Sequence, residues 1–231
     1  MSTGVVILSR FSSNRLPGKA LMQINNKPVL LYIIERLKTV VDKDKIIIAT
    51  SIDKSDNPIE NFAFSIGVKC YRGSLDNVAE RFYKAAESEN WDYAIRINGD
   101  NIFLDTNVLR KMILIQEEGD FDFVTNVKNR TFPKGMSVEI VKLSFYKSLL
   151  ENIITDNNYK EHVTMYLYNH PNNKYYYFLN TQLPEASGIQ MALDTEEDFI
   201  RTEKIISEFK SHHTNYNLKE IYNIWKTLNY E

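Results

Sequence analysis

The sequence has a single cysteine, Cys70, among 231 residues. An internal disulfide is therefore impossible and a cysteine-based zinc site cannot be built, which is typical of proteins from a reducing compartment. No apolar run approaches the roughly 20 residues that a membrane-spanning helix needs. A basic segment followed by an apolar one, the pattern of a signal peptide, is also missing before the first strand. We therefore expect a soluble cytoplasmic protein with no membrane partner.

The sequence also lacks a large excess of either charge. Its 28 Lys and Arg nearly balance its 30 Asp and Glu, which gives a net charge of −2. Proteins that bind nucleic acid over a wide surface are usually more basic, so we expect no nucleic-acid partner and only local anion recognition. Repeats, low-complexity blocks and linkers rich in glycine, serine and proline are absent from the sequence. Residues 1–231 are therefore predicted to form one domain.

Strand and helix patterns alternate through the first half of the chain. Short runs rich in branched apolar residues predict strands at 5–8, 45–51, 68–71 and 92–97. Apolar residues at helical spacing predict helices at 28–41, 56–67, 76–89 and 105–117, the last capped by Asp105. This alternation indicates an α/β fold of the Rossmann-like type, with three layers and a mostly parallel sheet.

The second half is less regular. Strands are predicted at 121–126, 136–141, 175–180 and 188–194, and helices near 143–151, 159–169, 195–210 and 218–229. We expect these elements to extend the same sheet in mixed orientation, with a C-terminal helix within 214–231. That helix is amphipathic, and it either packs on its own sheet or contacts a second copy in a homodimer.

A loop rich in cations and turn residues follows the first strand. It contains Arg10, Arg15 and Lys19, the hydroxyls of Ser12 and Ser13, and a Pro-Gly pair. Loops at the carboxyl ends of parallel strands collect ligands, and these groups suit a phosphate. The P-loop pattern does not fit, because Ser13 replaces its first glycine and Ala20 its hydroxyl residue, and GxGxxG is absent. Residue types alone leave a solvated surface loop as the alternative.

The stretch SRFSSNRLPGKAL resembles the signature loop of the cytidylyltransferases of sugar activation. This is the family of spore-coat polysaccharide biosynthesis, and more distantly of the enzymes that make CMP-linked Kdo and sialic acids. The matching positions are Arg10, Ser13, Arg15, Leu16, Pro17, Gly18 and Lys19, while Ser12 stands where the family often has glycine. The resemblance implies a GT-A-like variant of the fold and CTP as donor, with Arg15 and Lys19 on the triphosphate.

Two aspartates at predicted strand ends, Asp100 and Asp194, are candidate metal ligands. Each could instead cap a helix, although Asp105 and Thr195 are alternative caps for the helices that follow. Mg²⁺ prefers such hard oxygen ligands. The resemblance implies that both aspartates hold Mg²⁺, because Gly-Asp at 99–100 and DTEED at 194–198 match family segments. Asn101-Ile102-Phe103 departs from the family, which we interpret as altered packing or acceptor shape.

Further segments complete the resemblance. YRGSLDN at 71–77 implies a place beside cytosine or ribose for Arg72, Gly73 and Ser74, although a turn with Ser74 or Asp76 as helix cap explains it equally well. RTFPKGMSVEIV and KEHVTMYLYNHP resemble segments of the acceptor side, within an extension at 125–185. The implied acceptor-binding residues are Arg130, Lys134, Glu139, Glu161 and His162. Ser137 replaces a frequent aspartate, and a single helical histidine such as His162 is more often structural than catalytic.

The predicted activity is transfer of CMP from CTP to a sugar, sugar acid or sugar-phosphate-like acceptor, with release of pyrophosphate. Lys19, Arg15 and Asp100 are the predicted catalytic residues. The predicted nucleotide-binding residues are Arg10, Ser12, Ser13, Arg15, Lys19, Arg72, Gly73, Ser74, Asn98 and Asp100. A nucleotide-sugar glycosyltransferase is one rival, but Asn101 replaces the second Asp of its Asp-x-Asp motif. A non-catalytic nucleotide-binding protein is the other, although it would not need Lys19, Asp100 and Asp194 together.

Overall fold

The computed structural model describes residues 1–230. Its strands are β1 (Thr3–Leu8), β2 (Gln23–Ile24), β3 (Lys27–Pro28), β4 (Ile46–Ser51), β5 (Lys69–Gly73), β6 (Tyr93–Asn98), β7 (Phe123–Thr125), β8 (Glu139–Lys142) and β9 (Tyr175–Tyr177). Its α-helices are α1 (Val29–Leu37), α2 (Asn57–Ser65), α3 (Val78–Ser88), α4 (Thr106–Glu118), α5 (Leu143–Thr155), α6 (Asn157–Glu161), α7 (Met165–Asn169), α8 (Glu196–Ser207) and α9 (Leu218–Thr227).

Seven strands form one sheet in the order β5-β4-β1-β6-β8-β7-β9. The pairs β5/β4, β4/β1, β1/β6 and β7/β9 are parallel, whereas β8 is antiparallel to both of its neighbours. The chain leaves β1 toward β4 on one side and reaches β6 on the other. This reversal of direction opens a crevice at the carboxyl ends of β1 and β6, where α/β folds bind ligands. The expected Rossmann-like sheet, mostly parallel and mixed, is confirmed.

The alternating side chains of β1 separate two apolar layers. Val5 and Ile7 belong to one buried cluster, and Val6 and Leu8 belong to the other. The first cluster joins the sheet to α1, α2, α4, α8 and α9, and the second joins it to α3, α5 and α7. Both faces of the central strands are therefore covered, which explains their continuous apolar sequence.

Two predicted elements are wrong. Residues 188–194 form no strand, because their backbone bonds go to loops: the N–H of Met191 donates to the carbonyl of Lys134, and that of Leu193 to the carbonyl of Asp100. The helix predicted at 159–169 is broken into α6 and α7. Val163 interrupts it with φ of +42°, and its carbonyl accepts a hydrogen bond from the buried Tyr146 hydroxyl. Tertiary contacts override local preference at both places.

Two helix caps are as predicted from the sequence, and a third is a different residue. Asp105 caps α4 as expected, and Thr195 caps α8 through a reciprocal capping box with Asp198. The cap of α3 is Asn77, whose side chain accepts from the N–H of Glu80, so neither Ser74 nor Asp76 has that role.

The C-terminal helix α9 packs on its own chain. Leu218, Ile221, Tyr222 and Trp225 are buried in the first apolar cluster. The guanidinium of Arg201 lies 5.1 Å from the ring centre of Trp225. These contacts support self-packing, the first of the two roles considered above. None of the helices among residues 1–230 combines the length and apolarity that crossing a membrane requires.

Candidate active site

A cavity of about 300 Å³ lies at the carboxyl ends of β1 and β6, in the crevice that the strand order creates. Its lining includes five cationic side chains and three carboxylates. The charged residues are Arg10, Arg15, Lys19, Arg81, Arg96, Asp100, Glu161 and Asp194, and Ser9, Ser13, Asn14, Asn98, Gly99 and His162 complete the polar wall. Nine of these were predicted from the sequence as site residues, and the fold brings them together from distant segments.

The loop that follows β1 folds back on itself around one carbonyl group. The carbonyl of Phe11 accepts hydrogen bonds from the N–H groups of Ser13 and Gly18, at 2.9 and 2.8 Å. Gly18 has φ of +73°, and a Cβ there would lie 3.1 Å from the Phe11 ring. A side chain at this position would therefore strain the backbone and press on the ring. The turn places Lys19 directly over the cavity.

Asp56 ties this loop to the neighbouring strand. One of its carboxylate oxygens accepts from the N–H of Phe11 at 2.6 Å, and the other accepts from the N–H and hydroxyl of Ser51. The side chain is fully buried. Burial by itself raises the pKa of Asp56, but the hydrogen bonds from Ser51 and Phe11 outweigh it and hold the pKa below its ordinary value. The loop is therefore anchored at Phe11, directly after Arg10 of the cavity wall.

Replacing Asp56 with alanine is expected to lower the free energy of unfolding by about 2–4 kcal/mol, because three buried donors lose their acceptor. Folding lowers the pKa of Asp56, so its contribution to the free energy of unfolding is fully present at a pH above the ordinary carboxyl pKa. That contribution is lost as the pH falls through the lower pKa that the group has in the folded protein. Urea unfolding of both proteins between pH 7 and pH 3 should show the difference shrinking in acid. Asp44→Ala, at an exposed position, is the control, and equal losses in the two variants would contradict this role.

Lys19 lies between the two candidate metal ligands. Its Nζ is 3.0 Å from Oδ2 of Asp100 and 3.0 Å from Oδ1 of Asp194, and it donates to the carbonyl of Leu193 at 2.9 Å. The side chains of Lys19, Asp100 and Asp194 are mostly but not fully buried. Two carboxylates that would repel each other are therefore held together by one ammonium group.

Asp194 is free for this contact because Thr195 caps α8 in its place. Arg15 adds a second cation, with Nη2 2.9 Å from Oδ1 of Asp194. Burial raises the pKa of Asp194, but the hydrogen bond and charge of Lys19, together with the charge of Arg15, lower it overall below the ordinary value. The carboxylate is thus kept ionised, as a metal ligand must be.

The donor set at this place fits a hard divalent cation. Oxygens of Asp100 and Asp194 both lie within 3.0 Å of a single nitrogen atom, so they converge on one point. Two carboxylates, with water filling the other positions, are the arrangement that Mg²⁺ accepts in phosphate-transferring enzymes. Lys19 and Arg15 together neutralise the pair in the structure, and a bound dication would replace them in that role.

Two arginines of the cavity wall, one buried and one mostly buried, were missed from the sequence. Arg81 of α3 is 2% exposed and donates to the carbonyl of Ser74 at 2.6 Å. Arg96 of β6 pairs with the buried Glu139. In both guanidinium groups Nε has no hydrogen-bond partner among residues 1–230. A charged residue inside the apolar strand pattern YAIRIN was the available signal for Arg96.

Glu139 is a support of the site, not part of its wall. It is 2% exposed and does not line the cavity. Besides pairing with Arg96, it accepts hydrogen bonds from the hydroxyls of Thr164 and Tyr168 at 2.7 and 2.6 Å. These partners occupy its oxygens, so in the structure Glu139 holds Arg96 in place. Its contact with an acceptor stays a prediction.

Replacing Glu139 with alanine is expected to cost about 2–4 kcal/mol of folding free energy, since the mostly buried charge of Arg96 would lose its partner. Urea unfolding followed by circular dichroism measures this loss. Glu118→Ala, at the exposed end of α4, provides the comparison. A loss below about 1 kcal/mol, typical of exposed ion pairs, would show that the pair is solvated in solution.

Glu161 and His162 reach the cavity from the end of α6. Glu161 pairs with Arg10 at 3.0 Å. The other residues predicted for ligand binding do not line the cavity: Ser12, Arg72, Gly73, Ser74, Arg130 and Lys134. Arg72 is engaged elsewhere, donating to the carbonyls of Ser51 and Asp53 and pairing with Glu60. Their roles stay predictions.

The departure from the family pattern at 101–103 is a matter of packing. The amide of Asn101 is buried and donates to the carbonyl of Ser137 at 3.0 Å. Ile102 and Phe103 lie in the first apolar cluster. Asn101 therefore cannot serve as the second acidic ligand of a glycosyltransferase motif. Its hydrogen bond instead joins the loop after β6 to the segment that precedes β8.

Comparison with known proteins agrees with this geometry. A protein-family model described as Cytidylyltransferase matches residues 4–227. The spore coat polysaccharide biosynthesis protein SpsF of Bacillus subtilis is 30% identical over 203 residues, which cover 84% of this chain and 82% of SpsF. The structure of a cytidylyltransferase from Leptospira borgpetersenii has a TM-score of 0.90 at 28% identity, covering 99% of this chain and 95% of that one.

A more distant structure, a CMP:2-keto-3-deoxy-manno-octonic acid synthetase complexed with CTP, has a TM-score of 0.67 at 14% identity. It covers 90% of this chain and 99% of its own, and it shows likeness of fold. The sheet and the cation-lined crevice define the class as a nucleotidyltransferase. The chain belongs to the cytidylyltransferase family, whose members use CTP as the nucleotide donor.

Proposed function

We propose that this protein transfers CMP from CTP to an acidic sugar or sugar phosphate, with Mg²⁺ as cofactor. The convergence of Lys19, Asp100 and Asp194 at the crevice carries the proposal. The acceptor oxygen attacks the α-phosphorus, the bond from that phosphorus to the bridging oxygen breaks, and pyrophosphate leaves as the acceptor hydroxyl loses its proton. Such a reaction depends on positioning and charge neutralisation more than on covalent catalysis.

The cations of the loop are assigned to the triphosphate. Lys19, Arg15 and Arg10 each pair with a carboxylate of the cavity in the structure, at 2.9–3.0 Å. These pairs hold the cations in place and keep the site close to neutral before substrate arrives. When bound, Mg²⁺ would neutralise phosphate charge and polarise the reacting phosphoryl group. Its contact with Asp100 and Asp194 would free Lys19 and Arg15 for the phosphate oxygens.

Two further cations of the cavity wall favour an anionic acceptor. The buried Arg81 and the mostly buried Arg96 bring two positive charges to the wall, which His162 also lines. Arg96 is already paired with Glu139, but Arg81 forms no ion pair among residues 1–230. A neutral sugar would leave the charge of Arg81 unmatched, whereas a carboxylate or phosphate would satisfy it. The name of the relative SpsF refers to spore coat polysaccharide biosynthesis, which agrees with a role in preparing sugars for a surface polysaccharide. We place the reaction in the cytoplasm, where CTP is made.

The test is turnover with each of the four nucleoside triphosphates, Mg²⁺, inorganic pyrophosphatase and a panel of acceptors. The panel should pair each sugar acid with the same sugar in which the carboxylate is reduced to an alcohol. We expect phosphate release with CTP and the acids, and much less with the alcohols. Turnover of UDP-sugars without consumption of any triphosphate would refute the proposal in favour of a glycosyltransferase, and CTP binding without turnover would favour a non-catalytic protein.

A further inference from the structure

A cluster of metal-ligating side chains lies apart from the cavity, where α1 meets the connection between α8 and α9. Glu35 comes from α1, and His212 and His213 are neighbours in the connection. Oε2 of Glu35 is 2.6 Å from Nε2 of His213 and 3.7 Å from Nε2 of His212. One ligand atom of each side chain lies within 4.8 Å of the other two. No member of this His–Glu cluster lines the cavity.

The chemistry of the three groups is that of a transition-metal site. Two imidazole nitrogens and a carboxylate oxygen form a ligand set used by Zn²⁺ and its first-row neighbours, with the fourth position left for water. Mg²⁺, by contrast, prefers oxygen ligands throughout. Within the described residues 1–230, this is the one place where three His, Cys, Asp or Glu side chains converge so closely.

Outer contacts orient both imidazoles. Nδ1 of His212 lies 2.9 Å from the hydroxyl of Thr214, which turns Nε2 toward Glu35. The ring of His213 is 5% exposed and packs edge-on against Tyr32. Its Nδ1 has no hydrogen-bond partner among residues 1–230, so Nε2 is the nitrogen through which it makes its polar contact. A second partner such as the one His212 has in Thr214 is a regular feature of metal-binding histidines, whereas packing alone orients His213.

The backbone around His213 is fixed as well. Arg36, which follows Glu35 in α1, is 1% exposed and donates to the carbonyl of His213 at 2.7 Å and to that of Tyr216 at 2.8 Å. The connection is therefore held against α1 before any metal binds. A preformed site of this kind loses little entropy when it takes up its ligand.

Lys27 occupies the cluster in the structure. Its Nζ is 2.5 Å from Oε2 of Glu35, so the ammonium supplies the positive charge that the carboxylate needs. The lysine side chain is 24% exposed and is carried by the short strand β3, at the edge of the cluster. It can turn toward solvent when a dication takes its place, and it should compete with that dication.

We propose that Glu35, His212 and His213 bind a transition-metal dication of the Zn²⁺ class, which fastens the α8–α9 connection to α1. The site is separate from the carboxylate pair of the cavity. Its role is structural, since it joins two segments of the same apolar layer and contacts no residue of the nucleotide site. The inference does not depend on the proposed acceptor or reaction.

The test is calorimetric titration of the full chain with ZnCl₂, with Glu35→Gln, His212→Gln and Lys27→Gln as variants. His212 is 56% exposed, so its replacement leaves the core intact. Wild type should bind one Zn²⁺ at the cluster, and the Glu35 and His212 variants should bind at least about tenfold more weakly. Lys27→Gln should bind more tightly because its competing charge is gone. His170→Gln, an exposed histidine elsewhere, should bind as wild type does.

Two further readouts assign the metal to its place. The imidazole nitrogen resonances of His212 and His213 should shift with Zn²⁺ while that of His170 does not, and Zn²⁺ should raise the unfolding temperature of wild type. The Asp100→Asn/Asp194→Asn variant should retain this binding. Absence of Zn²⁺ binding, or binding that survives Glu35→Gln and His212→Gln but is lost in the Asp100/Asp194 variant, overturns the proposal.

Discussion

Replacing Lys19 with alanine should lower kcat/KM for CTP by about 10²–10³-fold, the usual effect of removing one preorganised charge from a reacting phosphate or oxyanion. The same change should strengthen Mg²⁺ binding, because the ammonium group that lies between Asp100 and Asp194 competes for the same oxygens. Activity and metal affinity therefore move in opposite directions. A residue with a merely structural role would not produce that pattern.

Steady-state kinetics with CTP and calorimetry with MgCl₂ in the absence of nucleotide measure the two quantities. Folding of the variant is checked by circular dichroism. Lys147→Ala, at an exposed position on α5, is the matched control and should leave both unchanged. Weaker Mg²⁺ binding in Lys19→Ala would show that Lys19 supports the aspartates and does not compete with the cation.

Replacing either Asp100 or Asp194 with asparagine should reduce turnover by at least about 10²–10³-fold and abolish its dependence on Mg²⁺. An amide keeps the shape of the side chain but loses the charge, so Lys19 would lose one of its two partners in each variant. Because the two carboxylates hold one cation together, the double variant should be little worse than either single one.

The control for these variants is Asp120→Asn. Asp120 also contacts two lysines, Lys142 at 2.6 Å and Lys174 at 2.9 Å, but it lies on the exposed surface away from the cavity. Turnover measured against Mg²⁺ concentration should be the same as in wild type for this control. Additive losses in the Asp100/Asp194 double variant would instead indicate two independent roles.

The sheet could be predicted because its central strands are buried on both faces and therefore consist of short branched apolar runs. Residues 188–194 also have an apolar pattern, but their backbone donors are used by the carbonyls of Lys134 and Asp100. No local pattern reveals such partners, since they are set by how distant loops meet. The break at Val163 has the same origin, because a buried tyrosine hydroxyl holds its carbonyl.

The residues of the site likewise include some that could be predicted from the sequence and some that could not. The loop cations and the two aspartates could be found because a long motif and the rules of helix capping single them out. Thr195 is indeed the N-cap of α8, so Asp194 does not have that role. The buried pair of Arg96 and Glu139 could not, because each residue comes from a different strand and only their register brings them together. Arg81 is hidden by its helix, where an arginine ordinarily faces solvent.

The hydrogen bond from Arg36 to the carbonyl of Tyr216 spans 180 residues of sequence. On the ribosome, α1 emerges before α9, and Arg36 has only the Leu104 carbonyl as acceptor until residues 213–216 have been made. During that interval the apolar face that α9 later covers is open to water and to other chains. Completion of this layer must therefore wait for the synthesis of α9, and nascent chains stalled before residue 213 should depend on chaperones to stay in solution.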